Sequence, residues 1–421
     1  MFLTHKVDLP PGHSPLGGSS AARFLACPGS VNFSKGMPNG SSEYAKLGTA
    51  AHALAEKCLR KRVEAWEYIQ EYFEGVEVDS DMAEAVQVYL DYAASIYMDA
   101  SRKLLKEQKD YTNLYSAFEY PFFAESLHPL MRGYVDCVFL NVPARELHII
   151  DYKHGIGVVT PAKGNIQLMY YAAGVLEVED LWGRVDTVKM TIVQPRAYHF
   201  EGPIRTATIA EDDLRGWVHG TLVPGMKAAE ISTQTQTGQH CRFCPARSKA
   251  CPAMVENDRK VAKMINEWEN DRELSEDFLG STLTMLDTAD IRKKALKDEA
   301  LARLNDDKKV PGWKLVTGKS RRVWKEGVVG PALNTFGSQC WVSSHLVAGI
   351  ISAMGIGRAQ QHLKVTDLLS PAQVEKLPGG LAFTARWAAK VPAGHALAPE
   401  HDGRRAISTS TKSLFKPVKK V

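Results

Sequence analysis

Apolar residues recur every three or four positions from Leu47 to Val63, with Leu47, Ala51, Leu54 and Cys58 on one stripe, and this spacing predicts an amphipathic helix. A second helix is expected to begin near Asp81, where Glu84 completes a capping-box pattern; its stripe is Val86, Tyr89, Ala93 and Ile96. The period then changes. Tyr115 to Tyr120, Gly133 to Leu140 and Glu146 to Tyr152 are short runs rich in β-branched and aromatic residues, separated by Pro and Gly, and they read as strands. Helical spacing returns from Gly164 to Leu176, and Val188 to Gln194 reads as a further strand stopped by Pro195. This order predicts an α/β fold with a central mixed sheet flanked by helices.

Beyond a cysteine-containing segment at 241–251, Val261 to Asn305 is helical and charge-rich, and Pro311 to Trp324 resembles a β-hairpin turning at Gly318. From Pro331 to Pro399 no period is clear. A chain of 421 residues suggests two domains. The expected division is a core domain over 1–260, a helical linker with a C-terminal α+β module over 261–401, and a basic tail over 402–421. The longest apolar run, Leu346 to Gly357, is broken by three glycines and a serine and falls short of the ~18 residues a membrane helix needs. The opening Met-Phe-Leu-Thr-His turns polar at once, so a cytoplasmic protein without a signal peptide or membrane partner is expected. Charge is nearly balanced, 52 basic against 48 acidic residues for a net +4, which gives no global nucleic-acid footprint. The tail alone is strongly basic. Arg404, Arg405, Lys412, Lys416, Lys419 and Lys420 face one acid there, as a solvated extension that can contribute phosphate contacts.

The chemistry concentrates in Arg132-Gly-Tyr-Val-Asp136 and in His148-Ile-Ile-Asp151-Tyr-Lys153. Period two puts Asp151 and Lys153 on one face of a strand, and a neighbouring strand carries Asp136. Two carboxylates so placed can hold Mg²⁺, a hard cation that prefers oxygen ligands, and a nearby ammonium can stabilise charge developing on a phosphate. Gln167 and Tyr171, four apart, share a helix face, as do His52 and Glu56 in Gly48-Thr-Ala-Ala-His52-Ala-Leu-Ala-Glu56. Of seven cysteines, Cys58, Cys137 and Cys340 stand singly in apolar patterns and are expected in the core. Cys241-Arg-Phe-Cys244 followed by Cys251 reads instead as metal ligation. Zinc would need a fourth ligand, for which the adjacent His240 is available; an iron–sulfur cluster would need a fourth cysteine.

The ordered set Gly-x3-His, Gly-x2-Asp, Asp-x-Lys and Gln-x3-Tyr resembles the RecB-like branch of the PD-(D/E)XK nuclease superfamily over roughly residues 20 to 255. The resemblance implies a restriction-endonuclease-like core and a Mg²⁺- or Mn²⁺-dependent DNA exonuclease. Its metal ligands would be His52, Asp136 and Asp151, with Lys153 catalytic and Gln167 and Tyr171 lining the site. Glu119, on the preceding strand, matches a further acidic position. Arg23-Phe-Leu-Ala-Cys27-Pro28 is similar to the early Cys-Pro of AddB-like nucleases. In those, one early cysteine joins a late C-x2-C-x5-C trio around a [4Fe-4S] cluster, although the last spacing here is six. Carried over, the cluster ligands would be Cys27, Cys241, Cys244 and Cys251, stapling the two ends of the domain, with zinc the alternative. The stretch Pro311 to Trp324 and Asp402-Gly-Arg-Arg405 look similar to a group of phage and prophage proteins of that superfamily. This implies a recombination or replication setting, with DNA and a phage single-strand annealing or single-strand-binding protein as partners. A rival reading is a nucleic-acid-binding or assembly protein that keeps the fold without useful turnover; another is a zinc-stapled interaction module. In the C-terminal module, Trp313, Arg321, Arg322 and Trp324 are read as ordinary hairpin packing, with a grip on a single strand as the other reading.

Overall fold

The computed structural model describes residues 2–318 except 5–6, 8, 11, 13, 38–42, 109, 157, 249–250 and 268–274. Beyond 318 it describes 321–324, 329–333, 339–343, 385, 388–391 and 394–407. It divides into two compact units, Met1–Ala295 and Leu296–Val421.

The first unit opens with α1 (Gly18–Ala26) and the short α2 (Ser30–Ser34), followed by α3 (Glu43–Lys61). A small hairpin, β1 (Tyr72–Phe73) with β2 (Val76–Glu77), leads into α4 (Ser80–Lys106). The cap of α4 is Asp79, whose Oδ1 accepts from the Met82 amide at 2.8 Å, two residues before the expected start at Asp81. An Asp side chain three residues ahead of a free amide outcompetes the Asp81/Glu84 pair as the first-turn acceptor. Five strands form the central sheet: β3 (Leu114–Phe123), β4 (Arg132–Asn141), β5 (Glu146–Tyr152), β6 (Thr187–Val193) and β7 (Ile204–Ala210), adjacent in that order. Only β5 and β6 run parallel, joined through α5 (Ile166–Val178); every other neighbouring pair is antiparallel. The sheet is therefore mixed and flanked by helices, as the sequence predicts.

Alternation along β5 feeds two cores. Leu147 and Ile149 pack on one face with Leu168, Tyr170 and Val175 of α5 and Phe24 of α1. Ile150 and Tyr152 pack on the other with Ala51, Leu54 and Cys58 of α3 and Val86 and Tyr89 of α4. Both helical stripes read from the sequence are thus the buried ones, and Cys58 and Cys137 are core residues at 1% and 2% exposure. The Cys340 side chain lies outside the described residues. At Gly174 of α5 a Cβ would come within 2.2 Å of the Phe122 ring, so glycine there lets the helix lie close on β3.

Strand β3 holds an irregularity. Glu119 has φ +46°, a left-handed conformation rare for a non-glycine residue and rarer inside a strand. Its neighbours stay in register, with Phe118 opposite Cys137 and Tyr120 opposite Val135. Yet Phe118 and Cys137 pack into the α3/α4 core, whereas Tyr120 and Val135 pack into the α5 core. Period two would keep residues 118 and 120 on one face. Both paired strands therefore change faces at Glu119 and Asp136.

After β7 come α6 (Glu211–Trp217) and α7 (Val223–Ile231), then the cysteine segment, α8 (Pro252–Glu267) and α9 (Glu276–Asn305). The division between units falls inside α9 rather than near residue 260. Asn257 Nδ2 of α8 donates to the Met285 carbonyl at 3.2 Å, and Asp258 pairs with Arg292 at 3.3 Å, which ties the first half of α9 to α8.

In the second unit, β8 (Trp313–Thr317), β9 (Arg321–Trp324), β10 (Val329–Leu333), β11 (Gln339–Ser343), β12 (Ala388–Val391) and β13 (His395–Pro399) form three antiparallel pairs. β8 and β9 do not form the hairpin the sequence predicts. β8 pairs with β13, β9 with β12, and β10 with β11. The other edge of β8 is already taken, by a bridge from Val316 to Ala406 and by the Ile407 amide on the Leu315 carbonyl, leaving β9 no ladder to join. Residues 402–407 are accordingly part of this unit and not a free tail; Lys412, Lys416, Lys419 and Lys420 lie outside the described residues. Trp313 carries Lys297 Nζ at 5.7 Å from its ring centre, a cation–π contact. The side chains of Arg321, Arg322 and Trp324 lie outside the described residues.

Candidate functional site

The change of faces at Glu119 sits over the centre the sequence singles out. His52 on α3, Glu119 on β3 and Asp136 on β4 bring one ligand atom each to within 4.8 Å of one another, the only such trio of potential ligands among the described residues. Asp136 Oδ2 accepts from the Tyr152 amide at 2.7 Å, which ties β4 to the end of β5, and stands 3.7 Å from His52 Nδ1. The His52 ring meets Tyr152 edge to face, with centres 5.4 Å apart.

Asp151, on β5, is 2% exposed. Lys153 Nζ lies 3.1 Å from its Oδ1 and 2.9 Å from its Oδ2, but hydrogen-bond geometry is met only at Oδ1. Oδ2 is sealed from solvent, and the Lys153 ammonium is its counter-charge. Gln167 on α5 completes the frame. Its Oε1 accepts from Lys153 at 3.1 Å, and its Nε2 donates to Asp151 Oδ1 at 3.1 Å and to the Tyr171 hydroxyl at 3.0 Å. The Asn165 side chain caps α5 through the Leu168 amide at 3.1 Å and so fixes the turn that carries Gln167.

Electrostatically the centre is crowded with acid. Burial pushes the Glu119 carboxyl far above its usual range, and the neighbouring Asp136 and Glu56 push it further. Burial likewise raises Asp151 despite the attraction of Lys153, and Asp136 adds to the rise. For Lys153, burial works downward, but the Asp151 and Asp136 carboxylates outweigh it and hold the ammonium above its ordinary value. One lysine does not balance this set of carboxylates. A hard dication with oxygen and imidazole ligands would, and the His52, Glu119 and Asp136 trio offers such ligands.

Behind the centre stands a relay absent from the motif reading. Arg196 donates to His154 Nε2 at 2.6 Å, so the His154 proton sits on Nδ1 and is donated to the Tyr152 hydroxyl at 2.8 Å. Burial, with Arg196 beside it, depresses the His154 pKa to about 4, keeping the ring neutral. The run Asp151-Tyr-Lys-His154 is its only sequence signal.

The four cysteines of the second motif line a common cavity. Cys27, at the C-terminal end of α1, lines one cavity with Cys241, Cys244, Cys251 and His240. No three of the thiols have their sulfurs within 4.8 Å of one another, whereas the sulfurs around a tetrahedral zinc stand about 3.8 Å apart. Hydrogen bonds join the segments 27–32 and 232–236 here. The Gly29 amide donates to the Gln234 carbonyl at 2.8 Å, Asn32 Nδ2 to the Ser232 carbonyl at 2.8 Å, and the Gln236 amide to Cys27 Sγ at 3.3 Å. A Cβ on residue 29 would lie 2.4 Å from the Gln234 oxygen, so only glycine permits this approach directly after Cys27-Pro28.

Among the described residues no helix is long and apolar enough to cross a membrane. Residues 13–405 match the family described as "Protein of unknown function (DUF2800)". That match reaches into both units, from before α1 to beyond β13, and the chain belongs to this family.

Proposed function

We propose that the protein is a metal-dependent DNA nuclease, an exonuclease of the PD-(D/E)XK type. In this reading His52, Asp136 and Asp151 hold Mg²⁺ or Mn²⁺, with Glu119 as an accessory acid. The reading rests above all on one ligand atom each from His52, Glu119 and Asp136 lying within 4.8 Å of one another; Asp151 stands outside that trio, buried and paired with Lys153. When bound, the cation supplies Lewis-acid stabilisation of phosphoryl charge and lowers the pKa of water. The chain's own groups do the rest. Lys153, held between Asp151 and Gln167, keeps its charge in the buried site and presents an ammonium donor to the phosphate as negative charge develops. Gln167 orients both Lys153 and Asp151, and Tyr171 fixes Gln167 in turn.

We further assign a [4Fe-4S] cluster to Cys27, Cys241, Cys244 and Cys251. Four cysteines lining one cavity supply the four thiolates such a cluster needs, with zinc on the same ligands as the alternative. Its role would be structural, closing a loop of more than 200 residues between the ligands.

The decisive experiment incubates anaerobically purified protein with end-labelled single-stranded and blunt duplex DNA, with Mg²⁺, with Mn²⁺ and with chelator. Metal-dependent shortening from the labelled ends supports the proposal. DNA binding without cleavage under any metal would replace it with a nucleic-acid-binding role.

A further inference from the structure

Because β5 and β6 are parallel, their C-terminal ends emerge at the same edge of the sheet, and the connection from β6 to β7 starts where Asp151 and Lys153 stand. This connection, residues 194–203, is rigid at its base. Gln194 is buried; its Nε2 donates to the carbonyls of Gly155 at 2.9 Å and Val158 at 2.8 Å, and its Oε1 accepts from the Thr160 amide at 3.0 Å. Arg205 closes the other side on Gln194 Oε1 at 2.8 Å and on the Thr160 carbonyl at 2.9 Å. Arg196 anchors the rising arm to His154, one residue past Lys153.

From that base the tip carries two aromatic rings into solvent. Tyr198 is 91% exposed and Phe200 84%, against a core in which most aromatics are buried. His199 lies flat on Phe200, ring centres 4.4 Å apart and 29° between planes, and its Nδ1 accepts from the Glu201 amide at 3.1 Å. The stitched neighbouring loop adds exposed Ile156 and Val158. Rings held out of the core on a braced loop, beside a charged centre, offer a flat ligand the Tyr198 ring and the face of Phe200 that His199 leaves open.

We propose that the 194–203 loop is a base-stacking grip that holds unpaired nucleotides beside the Asp151–Lys153 centre. Unpaired bases present the free π faces these rings fit, whereas the bases of an intact duplex are already stacked on one another. Arg196 and Lys153 supply positive charge at the foot of the loop for the attached phosphates. The inference deepens the nuclease reading: it depends on that reading for which bond lies next to the grip, but not for the binding itself.

The test therefore measures binding in chelator, where no cleavage occurs. Fluorescence anisotropy of labelled oligodeoxythymidylate and of blunt duplex is compared for wild type, the double variant Tyr198→Ala/Phe200→Ala, and Phe200→Trp. Each lost ring should weaken single-strand affinity roughly 5- to 100-fold. Duplex affinity should stay within about twofold, the salt slope should be unchanged because no phosphate contact is removed, and Phe200→Trp should bind as wild type. The rings touch no core, so the double variant should melt with wild type. Equal single-strand affinity in the double variant, equal weakening on both ligands, or a wild type that does not bind the single strand overturns the grip. Ring-dependent binding by a wild type that never cleaves with metal leaves the grip standing and removes the nuclease reading. Normal cleavage with ring-independent binding does the reverse.

Discussion

The acidic centre and the thiol pocket are both assembled from residues far apart in sequence, but by opposite physical means. The centre is a place of unresolved stress. Glu119 is held at φ +46°, two strands change faces, and carboxylates crowd until the pKa values of Glu119 and Asp151 rise. The pocket is relaxed by comparison. Its walls are joined by hydrogen bonds from the Gly29 amide to the Gln234 carbonyl and from the Gln236 amide to Cys27 Sγ. Stress of the first kind persists only where surrounding structure enforces it, and it marks a site that gains when a ligand arrives. A pocket whose walls are already bonded marks a structural joint. The two should therefore fail differently.

The largest separation should come from Lys153→Ala and Asp151→Ala. Each removes an electrostatic element used in the proposed reaction, so cleavage of end-labelled DNA should fall by at least roughly 10²–10³. Iron content, read by elemental analysis, should be unchanged. Asp151→Ala should also weaken Mg²⁺ binding in titration calorimetry, and Lys153→Ala should spare it. Equal cleavage by wild type and Lys153→Ala would place the chemistry elsewhere.

Cys27→Ala tests the other side. Losing one cluster ligand should abolish bound iron and destabilise the first unit by more than about 4 kcal/mol in denaturant titration, since metal-binding free energy is folding free energy. Cys58→Ala, in the α3 core, should keep the iron. Stoichiometric zinc in the wild type would refute the cluster while leaving the staple.

Much of this layout could be read from periodicity. The stripes of α3 and α4 and strands β3 to β6 carry strong apolar signals, because each buries a full face. β7 carries no such signal: Ile204-Arg-Thr-Ala-Thr-Ile-Ala alternates, but mostly with small and polar residues, because it is an edge strand with one partner. The motif spacing brought Asp151, Lys153, Gln167 and Tyr171 into one hydrogen-bonded frame, since strand and helix periods alone place them. Glu119 was matched by position, but its left-handed backbone was not foreseeable; the residue is no glycine, and the conformation is imposed by packing on both faces. The β8–β9 hairpin failed for a related reason. A turn at Gly318 is a local signal, and the partner for β8 came from 80 residues downstream.

Acid also distinguishes the sheet from its surroundings. His148 is buried on β5 with its Nε2 on the Thr191 hydroxyl at 2.8 Å, and burial, with Lys189 nearby, depresses its pKa to about 3. Below the unfolded value of about 6.5 the unfolded chain binds a proton that the folded one refuses. Stability from this group is thus complete above that pH and is lost as pH falls towards 3, by up to about 1.4 kcal/mol per unit. Denaturant titrations between pH 4 and 7 should show this slope, and His148→Gln should reduce it by one proton. An unchanged slope would mean another group dominates the acid limb.

The smallest effect should be the most informative about the centre. At Glu119 the left-handed backbone costs about 1–2 kcal/mol for a side chain with a Cβ, and glycine adopts it freely. Glu119→Gly also removes one carboxylate from a crowded, buried set. Against this, glycine adds unfolded-state entropy worth about 0.5–1 kcal/mol. The net expectation is a metal-free protein stabilised by about 1 kcal/mol in denaturant titration. Mg²⁺ should then stabilise the variant less than it stabilises wild type, because a ligand has gone and less repulsion remains to be relieved. Glu119→Gln separates the two contributions: it keeps the strained backbone and removes only the charge, so it should recover the electrostatic share alone. If Glu119→Gly is instead destabilised without metal and responds to Mg²⁺ as wild type does, the strain has another purpose, and the change of faces at β3 and β4 is structural.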